Sequence, residues 1–147
     1  MKRHIIVYYG KQNSGKTTTL SLLHNMLALA LPQCNNQPCP IPSPDFCSHF
    51  LTKGYVICIS TGGDDASAIL RGLEYFEQHQ GHILITADRT FRRNHDVLNE
   101  YIECNQEVKL LRLKAQYADA LAEQELANME QASKLYQTIL STLNILI

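Results

Sequence analysis

A glycine loop near the amino terminus constrains this chain more than any other feature. Segment 10–17 reads Gly-Lys-Gln-Asn-Ser-Gly-Lys-Thr, so Gly10 and Gly15 enclose four residues, and Lys16 and Thr17 follow directly. A β-branched, apolar run precedes the loop, and apolar residues at helical spacing follow it. The pattern predicts a buried strand, a tight turn and an amphipathic helix.

Such a loop suits a polyphosphate ligand. Backbone N–H groups can approach an anion closely only where side chains are small, and a helix N-terminus favours negative charge. Lys16 is expected to contact the phosphates as a catalytic residue, and the Thr17 hydroxyl is expected to ligate Mg²⁺, which prefers oxygen ligands. The predicted nucleotide-binding residues are Gly10, Asn13, Ser14, Gly15, Lys16, Thr17 and Thr18.

Two predicted strand ends offer the acid that metal-dependent chemistry needs. Asp64 and Asp65 follow strand 55–60 and a glycine pair, whereas Asp88 follows strand 82–87. Ligands of open α/β folds bind at the carboxyl ends of the strands. We prefer Asp64 as the metal ligand and catalytic acid because its neighbouring glycines let the backbone approach a phosphate. A helix cap is the alternative role for Asp64 and Asp65, and a solvated loop is the alternative for Asp88.

Three arginines follow the 82–87 strand on the same predicted edge. Arg89, Arg92 and Arg93 carry planar guanidinium groups, which suit phosphate oxygens, and Arg89 is the candidate for catalysis. A solvated basic loop is the alternative. Three arginines with only Phe91 as a stacking partner give no strong nucleic-acid signal.

The cysteines and the apolar segments bear on location. Five cysteines, an odd number, occur with no signal-peptide pattern, so we expect free thiols and a cytoplasmic protein. The set Cys34, Cys39, Cys47 and His49 contains zinc-competent ligands, but its spacing fits no regular zinc knuckle. The longest apolar stretch, 20–31, is too short to cross a bilayer, so no membrane partner is expected.

Alternation of strand and helix patterns predicts one domain over 1–147 with a three-layer α/β fold. We expect a mostly parallel sheet of about four to five strands, including an antiparallel hairpin over 45–60. All five prolines fall within 32–44, which predicts a surface loop. The net charge of −1 confines any polyanion site to a local patch.

Residues 115–147 predict a long C-terminal helix. Ala122, Met129, Tyr136 and Leu143 recur every seven residues, and the last ten residues carry no charge. A helix of ~33 residues would be about 50 Å long, which exceeds what short strands can cover. We therefore expect a homodimer through this helix, with a kinked helix that folds back on the sheet as the alternative.

On segment 10–17 and its strand and helix context, the chain resembles the P-loop (Walker A) NTPase superfamily, and it looks like short bacterial P-loop ATP-binding proteins. Thr61-Gly62-Gly63 and Asp88-Arg89 are faintly similar to thymidylate and other nucleotide kinases. The resemblance implies ATP and Mg²⁺ as cofactors. It implies a slow ATPase or an ATP-sensing switch, with a small-molecule or nucleotide kinase as the alternative and a protein-interaction module as a third class. No Asn-Lys-x-Asp motif of GTPases is present, which favours ATP over GTP.

Overall fold

The computed structural model of the chain describes residues 2–10, 15–31, 39–40, 45–62, 65–89, 92–116 and 118–144. Its elements are β1 (Arg3–Tyr9), α1 (Lys16–Ala30), β2 (Cys39–Pro40), β3 (Phe46–Thr52), β4 (Tyr55–Ser60), α2 (Ala66–Gln78), β5 (Ile83–Asp88), α3 (Arg92–Cys104), β6 (Val108–Lys114) and α4 (Leu121–Leu143). The strands form one six-stranded sheet in the order β2-β3-β4-β5-β1-β6.

The central part of the sheet is parallel. β1 pairs with β5 on one side and β6 on the other, and β4 pairs with β5, all in parallel. The register sets Tyr9 opposite both Asp88 and Lys114, so three strands end together at one edge. The predicted α/β class with a mostly parallel sheet is confirmed, whereas the P-loop type of that fold is not.

Helices cover both faces of the sheet because its apolar strands bury side chains on both sides. Ile6 and Tyr8 of β1 point into a core shared with α1 and α4. Ile5 and Val7 point into a second core shared with α2 and α3. The alternation of side chains along β1 therefore divides the molecule into an α1/α4 side and an α2/α3 side.

The predicted hairpin is confirmed. β3 and β4 pair antiparallel, with Thr52 opposite Tyr55 across a two-residue turn. Lys53 and Gly54 have φ values of 49° and 83°, as a turn with two left-handed residues requires. Among the ranges that the structure describes, no helix has the length and hydropathy needed to cross a membrane.

The predicted proline-rich loop over 32–44 contains a short strand. Within the predicted proline-rich loop, Cys39–Pro40 forms the edge strand β2, which pairs antiparallel with Cys47 and Phe46. An edge position tolerates proline because one side of the strand needs no ladder bond. The remaining residues of that loop, 32–38 and 41–44, lie outside the described residues.

The C-terminal helix is also shorter than predicted. It begins at Leu121, because Ala115 extends β6 by donating its backbone N–H to the Tyr9 carbonyl at 2.7 Å. The Gln131 side chain then binds both backbone groups of Gln116, at 3.0 and 3.2 Å. These contacts hold the start of the predicted helix in a non-helical connection.

Candidate functional site

The start of α1 is the best-defined part of the predicted site. Gly15 has a φ of 81° and precedes the helix, whose first hydrogen bond runs from the Thr19 N–H to the Gly15 carbonyl at 2.9 Å. Lys16 is buried, and its ammonium group donates to the Gly10 carbonyl at 2.8 Å. The lysine side chain therefore spans the gap between the end of β1 and the start of α1.

The threonines that follow differ in exposure. Thr17 is half-buried, Thr18 is exposed and Thr19 is buried. The Thr17 carbonyl accepts from the Ser21 hydroxyl at 2.9 Å. Asn13 and Ser14, two of the predicted nucleotide-binding residues, lie outside the described residues.

Asp65 is a helix cap. Its carboxylate accepts from the Ala68 N–H at 2.9 Å, and its extended backbone begins α2. This geometry matches the alternative role that we gave the Asp64 and Asp65 pair. Asp64, the preferred metal ligand and catalytic acid, lies outside the described residues, so its role stays a prediction.

Asp88 lies at the carboxyl end of β5, next to the glycine loop. Its side chain is fully buried, and its carbonyl accepts from the Gly10 N–H at 3.0 Å. The Asn94 amide donates to the carboxylate at 2.8 Å. His95 Nε2 lies 3.4 Å and an Arg112 guanidinium nitrogen 3.6 Å from the other oxygen. The solvated-loop alternative for Asp88 is therefore wrong, because its side chain is fully buried and three side chains from α3 and β6 contact its carboxylate.

An arginine that we did not predict, Arg112, lies beside Asp88. Arg112 comes from β6, which lies on the far side of β1 from β5. Arg89 is half-buried directly after β5, and Arg93 is exposed on α3. The catalytic role of Arg89 stays a prediction.

Sequence reasoning missed Asn94, His95 and Arg112. Asn94 lies in the first turn of α3, which begins at Arg92, and its amide projects onto Asp88. One weak signal for Arg112 existed: alternation along β6 puts it on the face of Val108 and Leu110, where an unpartnered charge would be costly.

A row of amides runs along α4, and two of them, Gln124 and Asn128, lie against Gly15 at the start of α1. Asn128 Oδ1 accepts from the Gln124 amide at 2.7 Å and from the Thr19 hydroxyl at 3.3 Å. Gln124 also accepts from the Ala118 N–H at 2.8 Å. The Gln131 side-chain oxygen accepts from the Tyr8 hydroxyl. Burial raises the pKa of Tyr8 to about 12, so its phenol stays protonated at neutral pH and acts as a donor.

Two histidines, one of them His49 of the weak zinc set, have hydroxyl partners elsewhere in the fold. His24 Nδ1 lies 2.9 Å from the Ser48 hydroxyl, and His49 Nδ1 lies 2.8 Å from the Tyr75 hydroxyl. Cys47, Cys58 and Cys104 are free thiols, as expected. Cys34 of the weak zinc set lies outside the described residues, and the described part of the chain contains no cluster of three metal-ligating side chains.

Comparisons with known proteins give the predicted family no support. No family model and no curated protein matches the chain. Among solved structures, the chain is similar to a futalosine hydrolase mutant of Helicobacter pylori at 9% sequence identity and a TM-score of 0.32. The alignment covers 93% of this chain and 86% of that chain.

The prediction that the chain belongs to the P-loop superfamily is wrong. It depended on one eight-residue motif, and no family model and no curated protein supports extending that motif to the whole chain. The ATPase or ATP-sensing switch, and the alternative kinase, were implied by the family resemblance and are corrected with it. At so low a TM-score, the activity of the hydrolase is not transferred to this chain either. ATP and Mg²⁺ as ligands are tested by no finding and stay predictions.

Proposed function

We propose that the edge formed by Gly10, Gly15 and Lys16 binds the phosphate group of a small phosphorylated ligand. The observation that carries this proposal is the buried Lys16 ammonium, held 2.8 Å from the Gly10 carbonyl at the start of α1. A cation fixed beside a helix N-terminus is a favourable environment for an oxyanion.

The charges around the start of α1 support the same ligand class. The first turn of α1 contains no acidic side chain that would compete for the positive end of the helix. Asp88 adds negative charge at the end of β5, but Arg112, His95 and Asn94 all contact its carboxylate. Those contacts help to offset the repulsion between Asp88 and an anion bound near Lys16.

We also propose that the site binds a divalent cation, with Thr17 and Asp88 as its candidate ligands. Both offer oxygen atoms, the ligand type that Mg²⁺ prefers, close to the glycine loop. A cation held there would neutralise phosphate charge, while Lys16 would orient the anion.

The cytoplasmic location and the single-domain organisation expected from the sequence also stay predictions.

Calorimetry with pyrophosphate tests the proposal, with ATP as a second probe and with each titration repeated in Mg²⁺. We expect Lys16→Met to weaken pyrophosphate binding at least about tenfold, because it removes a charge-assisted contact and keeps a similar side-chain length. Lys109→Met is the matched control, since Lys109 is exposed on β6. Equal affinity of the Lys16→Met variant and the wild-type chain, or no binding by the wild-type chain, would contradict the proposal.

A further inference from the structure

α4 packs against the proposed phosphate site at the left-handed turn of Gly15. An ideal Cβ on Gly15 would lie 2.3 Å from Asn128 Oδ1 and 2.5 Å from Gln124 Nε2. Contacts this short mean that the two amides pack directly against the glycine Cα. The side chains of α4 therefore reach the turn only because residue 15 has no Cβ.

We propose that Asn128 is a positioning residue of the phosphate site, which it serves by holding the Gly15 turn in its binding conformation. The proposal rests on the function proposed above and adds a residue that lies far from the glycine loop in sequence. Asn128 acts through Thr19 and Gly15 rather than through contact with the ligand.

Burial and hydrogen bonding fix the Asn128 amide. Asn128 is 4% exposed, and its side-chain oxygen accepts from the Thr19 hydroxyl and from the Gln124 amide. Moving the amide would break both bonds and leave buried polar groups unsatisfied, at a cost in stability. The Asn128 amide therefore has a fixed position against the Gly15 turn.

The same row of bonds continues to the connection after β6. Gln124 accepts from the Ala118 N–H at 2.8 Å while it donates to Asn128 at 2.7 Å. The start of α4, the connection before it and the first turn of α1 are thus joined through side-chain amides. A phosphate that orders the turn should also protect the start of α4.

Gln131 provides a matched control for a merely structural amide. It lies on the same helix and is 7% exposed, close to the exposure of Asn128. Its bonds go to Tyr8 and to Gln116, on the β6 side of the helix. Removing the Gln131 amide perturbs the packing of α4 but leaves the contact with the Gly15 turn.

Hydrogen exchange without ligand is the first test. The Thr19 amide, bonded to the Gly15 carbonyl, reports on the turn, and the amides of β5 report on global stability. In the Asn128→Ala variant, we expect exchange at Thr19 to rise about tenfold more than exchange in β5. Thr19→Val, which removes the same hydrogen bond from α1, should have the same effect. The proposal would be overturned if exchange rose equally at Thr19 and in β5, or if Gln131→Ala raised exchange at Thr19 as much as Asn128→Ala does.

Pyrophosphate affinity is the second test. We expect Asn128→Ala and Thr19→Val to weaken binding about tenfold, and Gln131→Ala to leave affinity within a factor of about two, as for a contact outside the site. Unchanged affinity in both Asn128→Ala and Thr19→Val would overturn the positioning role. If the wild-type chain binds no pyrophosphate, the proposed function fails, and the exchange experiment alone decides whether Asn128 holds the turn.

Discussion

Asp88 shows how a single buried carboxylate organises one edge of the sheet. It is fully buried, and groups from β6 and α3 contact it. Asp88→Asn keeps the shape but removes the charge that faces Arg112, so we expect the free energy of unfolding to fall by roughly 2 kcal/mol. Urea denaturation measures this loss. Asp96→Asn on the exposed face of α3 is the control and should change stability by less than about 0.5 kcal/mol.

His24 gives the fold a dependence on pH. Burial lowers its pKa, and its ring packs between Phe46 and Phe50 while it bonds Ser48. A histidine whose pKa is lower in the folded state takes up protons preferentially when unfolded, so stability is present above about pH 6.5 and falls as the pH drops.

The expected result is a lower free energy of unfolding at about pH 5.5 than at about pH 7.5, with a smaller difference in His24→Gln. Urea titrations at the two pH values provide the measurement. Burial also lowers the pKa of His4, His49 and His82, so part of the slope should survive in the variant. Identical slopes in variant and wild type would rule out the assignment to His24.

At the scale of elements, the β3–β4 hairpin depends on the backbone of its turn. Gly54 has a φ of 83°, and a Cβ added there would meet no atom within 4 Å. Gly54→Ala should therefore destabilise the protein by about 1 kcal/mol through backbone strain alone. Gly54→Asn should cost less, because asparagine tolerates the left-handed conformation. Thermal unfolding of the two variants checks the order, and a larger loss in Gly54→Asn would contradict it.

At the scale of the whole molecule, α4 exposes large apolar side chains in its amino-terminal half. Leu121, Leu126 and Met129 are 76%, 57% and 59% exposed. The predicted seven-residue repeat does not run along this open face, since Leu143 is buried and Tyr136 packs against the α1/α4 core. Among the described residues of α4, the exposed large apolar side chains lie in the amino-terminal half, and we expect the dimer contact there.

We expect a dimer that Leu126→Gln together with Met129→Gln converts to a monomer, because both side chains lose apolar contact area. Sedimentation at tens of micromolar measures the change. Leu111→Gln on β6 is a control at an exposed apolar residue elsewhere, 44% exposed, and it should leave the mass unchanged. A wild-type monomer under these conditions would contradict the dimer.

The amino-acid sequence by itself determined the features whose causes are local. A left-handed glycine before α1, a two-residue hairpin turn and the Asp65 cap each need only a few neighbouring residues to choose the backbone conformation. Apolar strand patterns that alternate with helix patterns along the chain also predicted the α/β class. The same local reasoning failed where it was extended from one motif to a whole family.

Tertiary structure alone decided which residues meet at the site. Arg112 reaches Asp88 across β1 because β5 and β6 lie on either side of that strand, and strand order is not written in any local pattern. Asn128 reaches Gly15 across more than 100 positions because α4 packs on α1. The helix starts at Leu121 because Tyr9 and Gln131 hold the preceding backbone. Contacts between distant residues depend on how elements pack, so they appear only when the chain is folded.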